Sequence, residues 1–369
     1  MMSKLRIGII GCGGIANNKH FPSLKACSDI SEIVAFCDVV EEKARKSAEE
    51  FGSADAKVYT DYHELLADKT IDLVHVLTPN VSHSPITVAA FKAGKHVLCE
   101  KPMAHTSEDA KKMIDAWKES GKKFTIGYQN RFRDEVQALH QSCEKDELGE
   151  IYYAKAHAVR RRAVPTWGVF PDKSQQGGGP LIDIGTHALD ITLWMMNNYE
   201  PVSVSGSVFN KLGHLPQAVE GNLFGPWDPE TYEVEDSAMG FIKMKDGATI
   251  VIEASWALNV VDSREAATTL CGTKAGAEIK SGMSYGKNEL IYNRGKNGLL
   301  MEEAISAAGH IAYFDGAGSS EGVAEAKQWL DAIINDKDPL VKPEQAFIVT
   351  QILEAIYKSA ETGKEVQIG

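Results

Sequence analysis

The stretch Leu5-Arg6-Ile7-Gly8-Ile9-Ile10-Gly11-Cys12-Gly13-Gly14-Ile15-Ala16 decides the reading of the chain. Residues 5–10 are an apolar run of strand length. The G-x-G-x-x-A pattern that follows directly is the strand-to-helix turn whose backbone amides cradle the pyrophosphate of a dinucleotide. Gly11 allows the tight turn, Gly13 lets the backbone approach a phosphate, and Ala16 permits close packing of helix on strand. Gly14 and Ile15 complete the loop. Such a turn alone could be only a turn, but an acidic residue ends the next apolar run: Asp38 follows Val34-Ala35-Phe36-Cys37. Its carboxylate suits the two hydroxyls of an adenosine ribose and would repel a 2′-phosphate. Val39 and Val40 supply no compensating cation, so NAD is expected rather than NADP.

Outward from this motif, apolar runs at 33–37, 73–77, 96–99 and 124–127 alternate with helical patterns at 41–51, 83–93 and 107–120, the last with Ser107 as its expected N-cap. Strand, helix, strand in this rhythm predicts a parallel sheet covered by helices. After residue 150 the pattern changes to longer alternating stretches at 151–160, 202–209, 237–244, 248–256 and 266–271, with a hairpin signal at Lys245-Asp246-Gly247. These predict an antiparallel sheet. Helices are expected near 181–196, 322–335 and 343–362. Residues 215–235, rich in Gly and Pro and carrying Phe224, Trp227 and Tyr232, form a long loop of the kind usually kept for function. Two domains follow, 1–127 and 128–369.

Composition narrows the function class. The chain has 369 residues, 39 Lys and Arg against 51 Asp and Glu, and a net charge of −12, which argues against a nucleic-acid partner. Its six cysteines are scattered, with no C-x-x-C pair and no His spacing for a metal, and read as reduced thiols. No run approaches the roughly 18 to 20 apolar residues of a membrane span. A cytoplasmic protein without metal or membrane partner is expected.

Three further groups carry chemistry. Thr78-Pro79-Asn80 and His83 follow an apolar run, at a strand's carboxyl end where open α/β sheets bind ligands, although Thr-Pro-Asn is also ordinary turn chemistry. Glu100-Lys101-Pro102 stands at the end of the next strand. Asp183 and His187, four residues apart, would share one helix face, either as a structural pair or as the carboxylate and imidazole of acid/base catalysis. Oxidation of an alcohol by hydride loss needs a group to take the hydroxyl proton. His187 suits that role, Lys101 could stabilise the developing alkoxide or share the proton, and Asp183 would orient.

Gly11 to Ala16, Glu100-Lys101-Pro102, Gly127-Tyr128-Gln129-Asn130-Arg131-Phe132 and Gly177-Gly178-Gly179-Pro180-Leu181-Ile182-Asp183-Ile184-Gly185-Thr186-His187 occur in that order. Together they resemble the glucose-fructose oxidoreductase, inositol dehydrogenase and rhizopine-catabolism (Gfo/Idh/MocA) family. The resemblance implies an α/β N-terminal Rossmann domain and an α+β C-terminal domain with a large, mostly antiparallel open sheet used for homodimer or homotetramer contacts. It also implies NAD-dependent oxidation of a secondary hydroxyl of a sugar, anhydrosugar or inositol. By match, Lys101, Asp183 and His187 form the catalytic set, and the Lys101–Pro102 bond is cis. The cofactor set comprises Gly11, Gly13, Gly14, Ile15, Asp38, Thr78, Pro79, Asn80, His83, Glu100, Lys101 and Gln129. The substrate would meet Lys101, Tyr128, Arg131, Trp167, Asp183 and His187. Trp167 could face the C–H side of a pyranose or be core packing, and Arg160-Arg161-Arg162 a carboxylate subsite or a solvated edge. Two other activities stay open: a redox-assisted glycosidase or lyase that returns the hydride to its substrate, and a non-catalytic NAD sensor.

Overall fold

Six strands, Leu5–Ile10 (β1), Ser31–Cys37 (β2), Lys57–Tyr59 (β3), Leu73–Val76 (β4), His96–Glu100 (β5) and Phe124–Gly127 (β6), form one sheet in the order β3-β2-β1-β4-β5-β6. Every neighbouring pair is parallel. The computed structural model describes residues 4–282, 284–285, 287–306 and 320–368. The central strands are buried on both faces, which is why they read as unbroken apolar runs. The short edge strand β3 escaped the sequence reading because Lys57-Val58-Tyr59 is too brief and too exposed to carry a periodic signal. Since all six strands run the same way, the residues after β1, β2, β4, β5 and β6 gather on one edge, and the order reverses between β1 and β4, where such sheets bind ligands.

The core under this sheet packs Ile7, Ile9, Phe21, Phe36 and Leu73 against Ala326, Trp329 and Leu330 of the helix Ser320–Ile334. The compact units therefore divide differently from a linear cut after residue 127. Described residues 4–132 and 320–347 form one unit, and 133–306 with 348–368 the other.

The second unit holds nine strands: Ile151–Val159 (β7), Pro201–Phe209 (β8), Ser237–Met244 (β9), Thr249–Ser255 (β10), Arg264–Gly272 (β11), Ala275–Lys280 (β12), Glu289–Lys296 (β13), Leu299–Ser306 (β14) and Val366–Gln367 (β15). Their order is β14-β13-β12-β11-β7-β10-β9-β8-β15, antiparallel except for the β7–β10 pair. The expected hairpin joins β9 to β10 through Gly247 at φ +95°. One face of β9 is buried, while Met239, Phe241 and Lys243 alternate outward.

One cap differs from expectation. The helix Ser107–Ser120 is capped by Thr106, not Ser107: Thr106 has an extended backbone and its Oγ1 accepts from the Asp109 amide at 3.1 Å. All six cysteines are free, and Cys12, Cys27, Cys37 and Cys99 are buried. Among the described residues no helix is long and apolar enough to cross a membrane, and no three His, Cys, Asp or Glu side chains group as metal ligands would.

Candidate active site

On the carboxyl edge of the parallel sheet, Gly11 turns at φ +98°, and its amide donates to Cys37 O at 2.8 Å. A Cβ there would stand 2.5 Å from Leu77 O, so the strand-to-helix turn admits only glycine. Gly13 and Gly14 differ, since a Cβ on either would meet nothing within 4 Å. Their side of the loop is open, as a backbone cradle for a pyrophosphate must be. Asn17 Nδ2 donates to Cys12 O and Gly13 O at 3.1 and 2.8 Å and so fixes the loop carbonyls. Asp38 is aimed by the backbone, Oδ2 accepting from the Cys12 amide and Oδ1 from the Val40 amide, each at 2.9 Å. A carboxylate has about four lone-pair sites, so capacity for ribose hydroxyls remains. Thr78 Oγ1 is buried without a partner among the described residues, a hydroxyl on the same edge. These features fit a bound dinucleotide.

His83 is buried, with Nδ1 2.8 Å from Pro102 O and Nε2 2.9 Å from Thr78 O. Burial lowers its pKa, against the pull of those two carbonyls. Its place is that of a strap holding the Thr78 turn to the Lys101–Pro102 step. That bond is cis.

Beneath Lys101 lies an ionic cluster. The helix after the glycine loop starts with a π-helical turn, Ala16–His20, whose wider winding turns the adjacent Lys19 and His20 both inward. Lys19 Nζ reaches Glu100 Oε1 at 2.7 Å, Glu325 Oε2 at 2.8 Å and Gln129 Oε1 at 3.3 Å, using all three ammonium donors. His20 Nε2 lies 2.8 Å from Glu100 Oε1, and its Nδ1 3.1 Å from His75 Nδ1. The Lys101 amide donates to Glu100 Oε2 at 3.1 Å. Burial alone would raise the pKa of Glu100, but Lys19 and His20 hold it well below the usual carboxylate range. Burial, reinforced by Glu100, pushes Glu325 up to about 7 despite Lys19. Burial also lowers both His20 and His75.

In the other unit, the helix expected at 181–196 begins as a second π-helical turn, Leu181–Gly185, and continues as Thr186–Met196. Asp183 sits in the π turn, where its Oδ2 accepts from Trp256 Nε1 at 3.1 Å. His187 follows in the first α turn and is buried with the rest of that helix. Glu235 clamps the entry to this segment. Its carboxylate accepts from the amides of Gly179 and Leu181 and from the Tyr357 hydroxyl at 2.8, 3.1 and 2.8 Å.

Gly11, Gly13, Gly14, Ile15, Asp38, Thr78, Pro79, Asn80, Glu100, Lys101 and Gln129 thus lie on one sheet edge, and Asp183 and His187 on one helical segment. Tyr128 and Arg131 are fully buried, with the Arg131 guanidinium donating to Gln345 Oε1 at 2.7 Å and to Leu340 O at 3.4 Å. Trp167 is half exposed. The sequence reading missed Lys19, His20, His75, Glu325 and Trp256. A histidine inside the apolar run Leu73–Val76 was the available signal for the cluster.

Comparison with known proteins shows the family. Residues 5–128 match the oxidoreductase family GFO_IDH_MocA, NAD-binding Rossmann fold, and residues 140–368 its C-terminal alpha/beta domain. The chain belongs to the Gfo/Idh/MocA family. It is an NAD-dependent oxidoreductase. The D-glucoside 3-dehydrogenase of Escherichia coli strain K12 is 35% identical over 366 residues, 99% of this chain and 98% of that protein. In the same family fold, an aldose-aldose oxidoreductase from Caulobacter crescentus, complexed with glycerol, superposes with a TM-score of 0.80 at 25% identity, covering 99% of this chain and 100% of its own. A levoglucosan dehydrogenase complex with NADH and levoglucosan gives 0.83 at 22% identity, with 99% and 100% covered.

Proposed function

We propose that the enzyme oxidises a secondary hydroxyl of a sugar, anhydrosugar or inositol, with D-glucosides the first class to test. The observation that carries this reading is the Asp183–His187 pair, a carboxylate fixed by Trp256 and a buried imidazole four residues on, on one helical segment. The full-length similarity to a D-glucoside 3-dehydrogenase supports the substrate class.

NAD, when bound, accepts the hydride. Gly13, Gly14 and the amides at the start of the first helix hold its pyrophosphate, and Asp38 its adenosine ribose. Thr78, Pro79, Asn80, Glu100, Lys101 and Gln129 border the nicotinamide end, with His83 holding two of these segments in register. As the C–H bond breaks, His187 takes the hydroxyl proton, for imidazole is the side chain whose ordinary titration range spans neutrality. Lys101 offsets negative charge on the oxygen as it becomes a carbonyl, and Asp183 fixes the orientation. In domain terms, residues 1–127 bind cofactor and 128–369 bind substrate and form a homodimer or homotetramer. The outward Met239 and Phe241 of β9 support assembly through the sheet. The six free thiols support a cytoplasmic location.

The test is NADH formation, followed by absorbance, across D-glucosides, free aldoses, inositols, anhydrosugars and sugar acids. Catalytic NADH formation with at least one neutral sugar or inositol is expected. Consumption of a glycoside without net NADH would assign the redox-assisted lyase reading, and NAD binding with no turnover the sensor reading.

A further inference from the structure

The long segment 215–235 is laced along residues 162–173. The Leu223 amide donates to Arg162 O at 3.1 Å, and Asn222 pairs with both backbone groups of Val164 through Oδ1 at 2.8 Å and Nδ2 at 3.0 Å. Thr166 Oγ1 donates to Phe224 O at 2.6 Å, and the Glu233 amide to Pro171 O at 3.1 Å. This lacing brings three rings together at fixed angles. Trp167 stands edge to face with Phe224 at 4.8 Å and 84°, and with Phe170 at 5.9 Å and 75°. Phe170 in turn meets Trp256 at 6.1 Å and 79°, and Trp256 is the residue whose Nε1 holds Asp183.

The row of rings therefore runs outward from the candidate catalytic carboxylate. It starts at Trp256, completely buried, passes through the half-buried Phe170, and ends at Trp167, 51% exposed, beside Phe224. The Arg160 guanidinium stands 6.0 Å from the Phe224 ring and is itself held by Glu265, which fixes the platform from behind. A tryptophan kept half in water forgoes much of the stabilisation its burial would give. Loop hydrogen bonds spent on holding it there are explained by an occupant with a flat apolar face. Continuity with Asp183 makes that occupant part of the substrate.

We propose that Trp167, Phe224 and Phe170 form a subsite for a second ring attached to the sugar being oxidised, so that glycosides are preferred over free monosaccharides. This rests on the sugar-oxidising reading above and adds the substrate's non-reacting half. Either an aryl aglycone or the C–H face of a second pyranose offers the required flat apolar surface.

The test compares kcat/KM for methyl β-D-glucoside, phenyl β-D-glucoside and cellobiose in the NAD-loaded parent and in Phe224→Ala and Trp167→Phe. The phenyl-to-methyl ratio is expected to exceed about tenfold in the parent, to collapse toward one in Phe224→Ala, mainly through KM, and to be partly kept by Trp167→Phe. A cellobiose-to-methyl ratio that moves with the variants while the phenyl ratio does not assigns the subsite to a second sugar, and the converse to an aryl group. If methyl glucoside is oxidised and neither ratio responds to the variants, the subsite is overturned while the sugar-oxidising reading stands. A variant that changes the sedimentation coefficient with both ratios intact would give the platform to a second copy of the chain and overturn the proposal. If no compound yields NADH, calorimetric binding of phenyl against methyl glucoside decides: equal affinity, or affinities that Phe224→Ala leaves alone, overturns the subsite.

Discussion

Lys19 Nζ and Glu100 Oε1 lie 2.7 Å apart with both side chains buried, and the other oxygen of the same carboxylate accepts from the amide of Lys101 at 3.1 Å. The ammonium is shared with Glu325, so a single positive charge faces two carboxylates away from water. The arrangement fixes the start of the Lys101–Pro102 step through the cluster rather than through the surface.

Removing the shared cation should therefore be costly. Lys19→Met removes the cation that two buried carboxylates share, and breaking a buried pair in this way typically costs about 3–5 kcal/mol. Urea unfolding of the parent and variant at neutral pH is expected to show a loss of that order. A loss under about 1 kcal/mol would mean that the cluster is hydrated in solution.

Glu325 gives the cluster a pH signature. Burial pushes its folded pKa up to about 7, above the ordinary 4.5 of a glutamate, so the folded state favours the protonated acid. The contribution is fully present below pH 4.5 and is lost as pH rises through 7. His20 and His75, lowered by burial, act in the opposite sense, favouring the folded state as pH rises through the unfolded imidazole range. Comparison with Glu325→Gln isolates the glutamate: the stability of the variant relative to the parent should increase between pH 5 and pH 8, by up to about 3 kcal/mol. A difference independent of pH would show that Glu325 stays ionised throughout.

The two glycines of the loop should separate folding from binding. Gly11→Ala forces a Cβ to 2.5 Å from Leu77 O at a positive φ and should destabilise the first unit markedly. Gly13→Ala meets no atom of the protein, so its melting temperature without cofactor should match the parent's while its NAD dissociation constant rises. Calorimetric titration with NAD beside a thermal melt reads both effects. Unchanged NAD affinity in Gly13→Ala would place the pyrophosphate elsewhere.

Trp256→Phe keeps an aromatic ring in the row and removes the donor to Asp183 Oδ2. A hydrogen bond to a charged group contributes about 1.5–3 kcal/mol, so kcat should fall by roughly tenfold or more while NAD affinity stays at the parental value. An unaltered kcat would show that Asp183 is oriented by other groups.

What the sequence made legible was local. Gly11 to Ala16 and Asp38 announce their chemistry because turn, cradle and ribose acceptor lie within one strand-helix-strand unit, and the hairpin at Lys245-Asp246-Gly247 is likewise written in its own residues. The strands β12, β13 and β14 were not legible: Ala275–Lys280 is short, and Glu289–Ser306 mixes charged and apolar residues on a sheet end where several side chains face water. Asp183 and His187 were placed on a single α-helix, whereas a π turn separates their settings, and nothing in Leu181-Ile182-Asp183-Ile184-Gly185 signals that change of winding. The Lys19–Glu325 pair joins segments from opposite ends of the chain. An amphipathic stripe on the helix Ser320–Ile334 says that it packs but not against what.

The central claim, oxidation of a sugar hydroxyl with His187 as general base, is tested most directly by kcat for His187→Ala with the best sugar substrate, measured beside the NAD dissociation constant. Loss of a general base typically costs about 100-fold to 10,000-fold, so kcat should fall by that order with NAD affinity nearly unchanged. The acidic limb of the kcat/KM profile should vanish as well. Retention of most activity in His187→Ala, together with its abolition in Lys101→Ala, would contradict the account and make Lys101 the base.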